Sequence, residues 1–218
     1  MNQKTLINAL IQAKSKEQVI MKNIFLILSG TLFIALVANL KIVLPFTPIP
    51  ITGGTFAIIL VGLTYGKKLA PATLLSYIVA GSVGLPVFAG YRGGIPFFSP
   101  SGGYLIGYFF AALICGYFAD KGWTKSYYKT IFVIILANIA IYTFGLIQLS
   151  FFIGNKNVFM AGLYPFIPGD IIKMNNLFQF TEDKIDKRTF ESLKDFNVMD
   201  ENSKKILLNY FAKNGVKD

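Results

Sequence analysis

The sequence predicts an all-α membrane protein: six transmembrane helices, preceded by a basic arm and followed by a short soluble tail. Three observations carry that prediction. Of the 218 residues, 54% are hydrophobic and 15% charged, where a soluble domain carries about 25% charge. The apolar residues gather into runs near the roughly 20 residues that a bilayer core requires. Charge also sorts by position. Residues 1–180 hold 13 Lys and Arg against Glu17, Asp120 and Asp170, whereas residues 181–218 hold eight of each sign.

Residues 1–23 form a basic arm with Lys4, Lys14, Lys16 and Lys22, and the spacing of Leu6, Ala9, Leu10 and Ala13 allows a short amphipathic helix. The run Ile24–Leu44 is too long for the apolar part of a signal peptide and lacks a small-x-small cleavage site, so it reads as the first span. Lys41 near its end can snorkel to the interface. Pro45, Pro48 and Pro50 exclude helix interior. The second segment, Thr55–Tyr65, is short and stops at Gly66-Lys67-Lys68. Either it is tilted and extended by residues 49–54, or irregular backbone enters the membrane and lines a cavity there. The third segment runs from Leu69 to Val83 and ends in Gly84-Leu85-Pro86.

The following loop, residues 87–101, is apolar and aromatic with Arg92 as its single charge, and reads as packed down rather than solvated. The fourth segment, Gly102–Ala119, carries Gly103, Gly107 and Ala111, a small-xxx-small face for close helix packing. Asp120–Lys129 is a polar connection. The fifth segment, Thr130–Ile153, contains Asn138, Tyr142 and Gln148, read as interhelical hydrogen bonds ahead of ligand contacts. The sixth begins near Pro165 and loses its apolar character after Lys173. Thr181–Asp218 is soluble sequence, with apolar positions for two short amphipathic helices. The expected domains are thus a basic arm (1–23), a transmembrane domain (24–180) and a soluble tail (181–218).

Positive charge sets the expected orientation. The arm, Lys67/Lys68 and Lys121/Lys125/Lys129 alternate on one side, against Arg92 and Lys156 in loops on the other. Both termini are expected in the cytoplasm. The proline-rich stretch 45–54, Arg92 and the Asp170/Lys173 turn then fall together at the outer face.

Several chemistries are excluded. The chain has no histidine and one cysteine, Cys115, so it has no disulfide framework, no Cys/His zinc site and no His-based catalysis. Ser99-Pro100-Ser101-Gly102 has no histidine to activate a serine. Gly62–Lys68 resembles a P-loop, but is one residue short and has Lys68 where Ser or Thr belongs. No basic patch interleaved with aromatics points to nucleic acid. The chain reads as a non-enzyme without a cofactor.

What remains is Asp170 and Lys173, one turn apart on a helix start marked by Pro168 and Gly169. Ionisable groups in a membrane helix cost about 2.5–3.5 kcal/mol each near its centre, so they face a partner or a polar cavity. One reading is a self-neutralising pair at the interface. The other, with Arg92 in the loop above, is a site for a small anionic ligand with further hydrogen-bonding groups: a cation for its carboxylate, Asp170 for an N–H. Phe88, Tyr91 and Tyr104 are candidates for its apolar walls.

Five strings resemble a known family: Pro45-Phe-Thr-Pro-Ile-Pro-Ile-Thr, Gly84-Leu-Pro-Val-Phe-Ala-Gly90, Gly93-Gly94, Ser101-Gly-Gly-Tyr-Leu-Ile-Gly107 and Pro165-Phe-Ile-Pro-Gly-Asp-Ile-Ile-Lys173. In that order they are similar to BioY, the biotin-specific substrate-binding (S) component of energy-coupling factor (ECF) transporters. The resemblance covers roughly Ile24 to Lys173. It implies an S-component-like bundle in the bacterial plasma (inner) membrane, binding biotin from outside. It also implies partners that supply the energy, a coupling transmembrane protein and two ATPase subunits. The family's loop arginine falls on Arg92, and its Pro-Gly-Asp-x-x-Lys pair on Asp170 and Lys173. The chain departs from the family at Gly53-Gly54, where Leu-Gln is usual, and at Asn39, where an Ala-xxx-Ala face would continue from Ala35. An S component for another small vitamin, or a membrane packing protein without a ligand, are the alternatives to biotin.

Overall fold

A computed structural model of the chain describes residues 15–154 and 157–170. The first helix, α1 (Lys16–Ala38), begins at a capping box. The Ser15 side chain accepts from the Gln18 N–H, and the Gln18 side chain accepts from the Ser15 N–H, which satisfies two donors that a helix start leaves open. The helix therefore starts before Ile24, and the end of the expected arm is its opening turns. Leu26, Ile34, Ala35 and Ala38 are buried along one face while Leu28, Leu32 and Leu36 lie exposed on the other. That division suits a helix between protein and lipid.

α1 stops at Ala38 and does not reach Leu44. The chain instead forms a short antiparallel hairpin, β1 (Lys41–Ile42) against β2 (Ile51–Thr52), with Lys41 opposite Thr52 and Ile42 opposite Ile51. The prolines occupy the stretch between the strands, which keeps their missing N–H groups off the ladder. The connecting stretch dips into the bundle: Ile49 is buried, and the Thr47 hydroxyl donates to the Ala161 carbonyl at 2.7 Å.

α2 (Gly54–Ser82) is two helical arms that meet at Gly66, whose φ of 80° and ψ of 178° belong to glycine alone. The arms fold back on each other. Tyr65 and Thr73 both abut Gly30, while Ile58 and Tyr77 reach one cavity near the other end. The second and third expected segments are thus joined by a single corner, with Pro71 five residues past it in the second arm.

α3 (Gly102–Asp120) is the axis of the bundle, because small residues on two of its faces let its neighbours approach to backbone contact. Toward α4 (Tyr127–Ile153), a Cβ added at Gly107 would lie 2.6 Å from the Ile141 Cα. This is the small-xxx-small face expected from the sequence. Toward α2, a Cβ at Gly62 would lie 2.5 Å from the Cys115 Cβ, and one at Gly116 would lie 2.6 Å from the Gly66 carbonyl carbon. This second face was not anticipated, and buried Cys115 serves it as a small packing residue. Two buried clusters result, one between α3 and α4 around Val133, Ile134 and Ile141, the other between α1 and the arms of α2 around Ile34, Ile58 and Leu74.

After α4 a short helix, α5 (Val158–Gly162), leads into a turn and then helical residues 167–170. Pro168 sits in that new first turn, where the sixth segment was expected to start. Lys173, the remainder of that segment, the tail 181–218, Lys156 and residues 1–14 lie outside the described residues. The chain is thus mostly helical, and among the described residues α1, α3 and most of α4 are long and apolar enough to cross a membrane, as is α2 when its two arms are taken together.

The corner at Gly66 yields a direct expectation. Gly66→Ala places a Cβ in a conformation that only glycine adopts freely and should destabilise the bundle by about 1–3 kcal/mol. Thermal unfolding in detergent reads this as a lowered midpoint, and an unchanged midpoint would remove the corner from the fold.

Candidate functional site

The loop between α2 and α3 folds onto one end of the bundle because its backbone closes on itself. Phe88 and Arg92 exchange both backbone hydrogen bonds, at 3.0 and 3.2 Å. The three residues between them turn through consecutive left-handed conformations at Gly90 (φ 84°) and Tyr91 (φ 55°). Phe88 packs onto Gly81, where no Cβ would fit, and meets the Tyr77 ring edge-on at 5.4 Å. The Tyr77 hydroxyl donates to the Val87 carbonyl, and the Gly94 N–H donates to the Gly81 carbonyl at 2.8 Å. Asn39, at the end of α1, accepts from the Tyr91 N–H at 2.7 Å. The second half of the loop is held from α4, where the Gln148 side chain donates to the carbonyls of Phe97 and Ser99.

Beneath this loop lies a cavity of about 200 Å³. Ala38, Ile49 and Ile58 give it apolar walls, with Phe166 on the side of the last described turn. Its polar groups come from Thr52, Thr55, Ser99, Ser101, Arg92 and the phenols of Tyr77, Tyr104, Tyr108 and Tyr142. Each phenol has a partner. Tyr77 uses the loop carbonyl, Tyr104 donates to the Gly162 carbonyl at 2.8 Å, and Tyr108 is hydrogen-bonded to Thr52. Tyr142 donates to the Asp170 carboxylate. A pocket that is apolar with a few convergent polar groups is the usual form of a small-molecule site.

The residues singled out from the sequence divide as follows. Arg92, Phe88 and Tyr104 are in the cavity wall. Arg92 is exposed on its outer side, and its Nε donates to the Ala89 carbonyl at 3.2 Å. Asp170 is half-buried and stands one hydrogen bond behind the wall, through Tyr142. Tyr91 is not a wall residue: at the left-handed turn it is 74% exposed. Lys173 lies outside the described residues.

Of the three polar residues in the fifth segment, Gln148 anchors a loop rather than a helix, and Tyr142 reaches the site. Asn138 keeps a buried carbonyl oxygen without a hydrogen-bond partner among the described residues. Sequence reasoning missed Thr52, Tyr77 and Tyr108. The i, i+4 spacing of Tyr104 and Tyr108 on an apolar span was the available signal. Among the described residues no group of three His, Cys, Asp or Glu side chains could hold a metal ion.

The sequence model of the BioY family matches residues 6–181. The chain belongs to the BioY family. Among BioY relatives, the probable biotin transporter BioY of Pyrococcus horikoshii is 38% identical over 144 residues, 65% of this chain and 85% of that protein. The biotin transporter BioY of Thermotoga maritima is 32% identical over 151 residues, 68% of this chain and 88% of its own. Among solved structures, the crystal structure at 2.1 Å of the S-component for biotin from an ECF-type ABC transporter aligns with a TM-score of 0.69 at 28% identity. That alignment covers 78% of this chain and 93% of the solved one. All the wall residues of the cavity fall within the BioY match.

The Gln148 anchor can be tested without a ligand. Gln148→Leu removes two hydrogen bonds that hold residues 96–101, each worth about 0.5–1.5 kcal/mol. Amide hydrogen exchange in that loop should quicken by about tenfold or more, while unchanged exchange would show that the loop is held elsewhere.

Proposed function

We propose that this chain is a biotin-binding S component of an ECF-type ABC transporter in the bacterial plasma membrane, and that the cavity beneath the 83–101 loop is its substrate site. The observation that carries this reading is the cavity itself. In a member of the BioY family, it joins an arginine-bearing loop, an aromatic wall and a carboxylate held behind a phenol.

Biotin offers a carboxylate on an aliphatic chain and a cyclic urea with two N–H groups. Arg92 and Lys173 are the cations for the carboxylate, the arginine with a fork that matches it. Asp170 accepts from a urea N–H. Phe88 and Tyr104 cover the apolar parts, with Thr52 and Tyr108 as further polar contacts.

In this reading the bundle has six spans, with the loop and cavity at the outer face and both termini in the cytoplasm. The turns with Lys67, Lys68, Lys121 and Lys129 then lie at the inner surface, where basic residues are favoured. The chain acts by binding, reorientation and inward release rather than by catalysis. The energy comes from a coupling transmembrane protein and two ATPase subunits, because nothing in the sequence can bind and cleave a nucleotide.

Equilibrium binding of labelled biotin to the purified chain in detergent tests this, with and without residues 181–218. Tight binding is expected in both forms. Arg92→Ala, Asp170→Asn and Lys173→Ala should each weaken it by roughly 10- to 100-fold, the range for a lost charge-assisted hydrogen bond. Wild-type affinity in all three variants would refute the site. Failure of the full chain to bind biotin, with binding of another vitamin, would refute the substrate.

A further inference from the structure

Four phenols border the cavity, and three are tied to groups with no formal charge: two backbone carbonyls and the Thr52 hydroxyl. Tyr142 alone among them donates to a carboxylate, that of Asp170. The two residues come from different elements. Tyr142 lies in the long helix α4, and Asp170 in a fresh helical turn that follows a non-helical stretch.

The Tyr142 ring is itself fixed. It stands edge-on to Tyr104 at 6.4 Å with an interplanar angle of 88°, and tilted against Phe166 at 6.4 Å. Tyr104 is pinned in turn by its bond to the Gly162 carbonyl, and Gly145, one turn from Tyr142, leaves room for the Tyr104 ring. The hydroxyl is therefore presented from a packed cluster that cannot easily turn away.

We infer that Tyr142 is a positioning residue for the proposed site: it fixes the Asp170 carboxylate directly behind the cavity wall, and so sets the preference for a ligand that presents an N–H donor on that side. This rests on the reading of Asp170 as the acceptor for a substrate N–H. A carboxylate can turn about two side-chain bonds, and an acceptor that must meet one N–H gains from being held in place before the ligand arrives. A hydrogen bond from a phenol to an ionised carboxylate is also among the stronger ones in proteins. Tyr142 in this role acts through Asp170.

The test is a double-mutant cycle on the full-length protein in detergent: wild type, Tyr142→Phe, Asp170→Asn and the double variant, each measured for biotin affinity and for ligand-free thermal midpoint. Tyr142→Phe keeps the ring and removes only the hydroxyl. It should weaken biotin binding by roughly 10- to 100-fold in the wild-type background. In the Asp170→Asn background it should cost no more than about two- to threefold, a non-additivity expected of residues in one network. The penalty should persist for biotin methyl ester, whose carboxylate is masked, and shrink for biotin methylated on the urea nitrogens. A purely structural Tyr142 would show the same loss with all three ligands.

Equal losses in both backgrounds, or wild-type affinity in Tyr142→Phe, would overturn the inference. If none of the four proteins binds biotin, the substrate reading fails, and the ligand-free midpoints decide the pairing alone. Tyr142→Phe should lower the midpoint in the wild-type background and leave it unchanged in the Asp170→Asn background, whereas additive shifts would overturn the pairing.

Discussion

Backbone that leaves the helix inside a bilayer must find its hydrogen bonds within the protein, since lipid offers none. Much of this structure at the cavity end answers that demand. Between α1 and α2 the chain answers it with the two-residue hairpin and with Thr47, whose hydroxyl reaches the Ala161 carbonyl. Between α2 and α3 it answers through the Phe88–Arg92 pair, the Gly94-to-Gly81 bond and the amide of Gln148. These bonds let two irregular stretches sit against one another without a helix to fill the space. The cavity is what lies between them.

Close packing governs the helix contacts. At Gly62, Gly107 and Gly116 the absent side chains let α3 approach α2 and α4 closely. At the cavity end of α3, Tyr104 and Tyr108 alternate with Gly103 and Gly107, which meet α4 at Phe144 and Ile141. One helix therefore clamps its neighbours and lines a cavity over the same turns, with small and aromatic side chains on adjacent faces. Gly53 abuts the Val37 carbonyl, and neighbouring Gly54 borders the cavity near the Tyr108 hydroxyl. These two glycines lie where the hairpin meets the cavity wall.

The sequence was most informative where a single physical rule acts alone. Apolar run lengths gave the helices, and prolines 45, 48 and 50 gave the break after α1. The spacing of Gly103 and Gly107 gave a close-packing face on α3, and α4 proved to be the helix that fills it. Boundaries that depend on side-chain capping were less legible: Ser15 and Gln18 start α1 in what reads as a polar arm. The hairpin was invisible, because two-residue strands leave no alternation to detect. At the site, Arg92 was recognisable as a lone charge in an apolar loop, and Phe88 and Tyr104 as nearby aromatics. Tyr91 read the same way, but the side to which its ring turns depends on a backbone angle, φ 55°, that no pattern of residue types records. Tyr77 and Tyr108 were lost among the other aromatics of apolar spans. Which of them meets a cavity is decided by how helices are arranged, a long-range property.

The helical segments differ widely in length. α1 and α4 have 23 and 27 residues, about 34 and 40 Å at 1.5 Å per residue, while the first arm of α2, residues 54–65, extends only about 18 Å. A hydrocarbon layer is about 30 Å thick, so the long helices exceed it and the short arm falls well below it. The arm escapes the mismatch because Ala57, Ile58, Ile59 and Leu63 are buried among other helices. Adjustment to a thicker or thinner membrane therefore falls on α1 and α4, which can tilt. The short arm beside the cavity is insulated from the lipid by its neighbours, so a change in membrane thickness reaches it only through them.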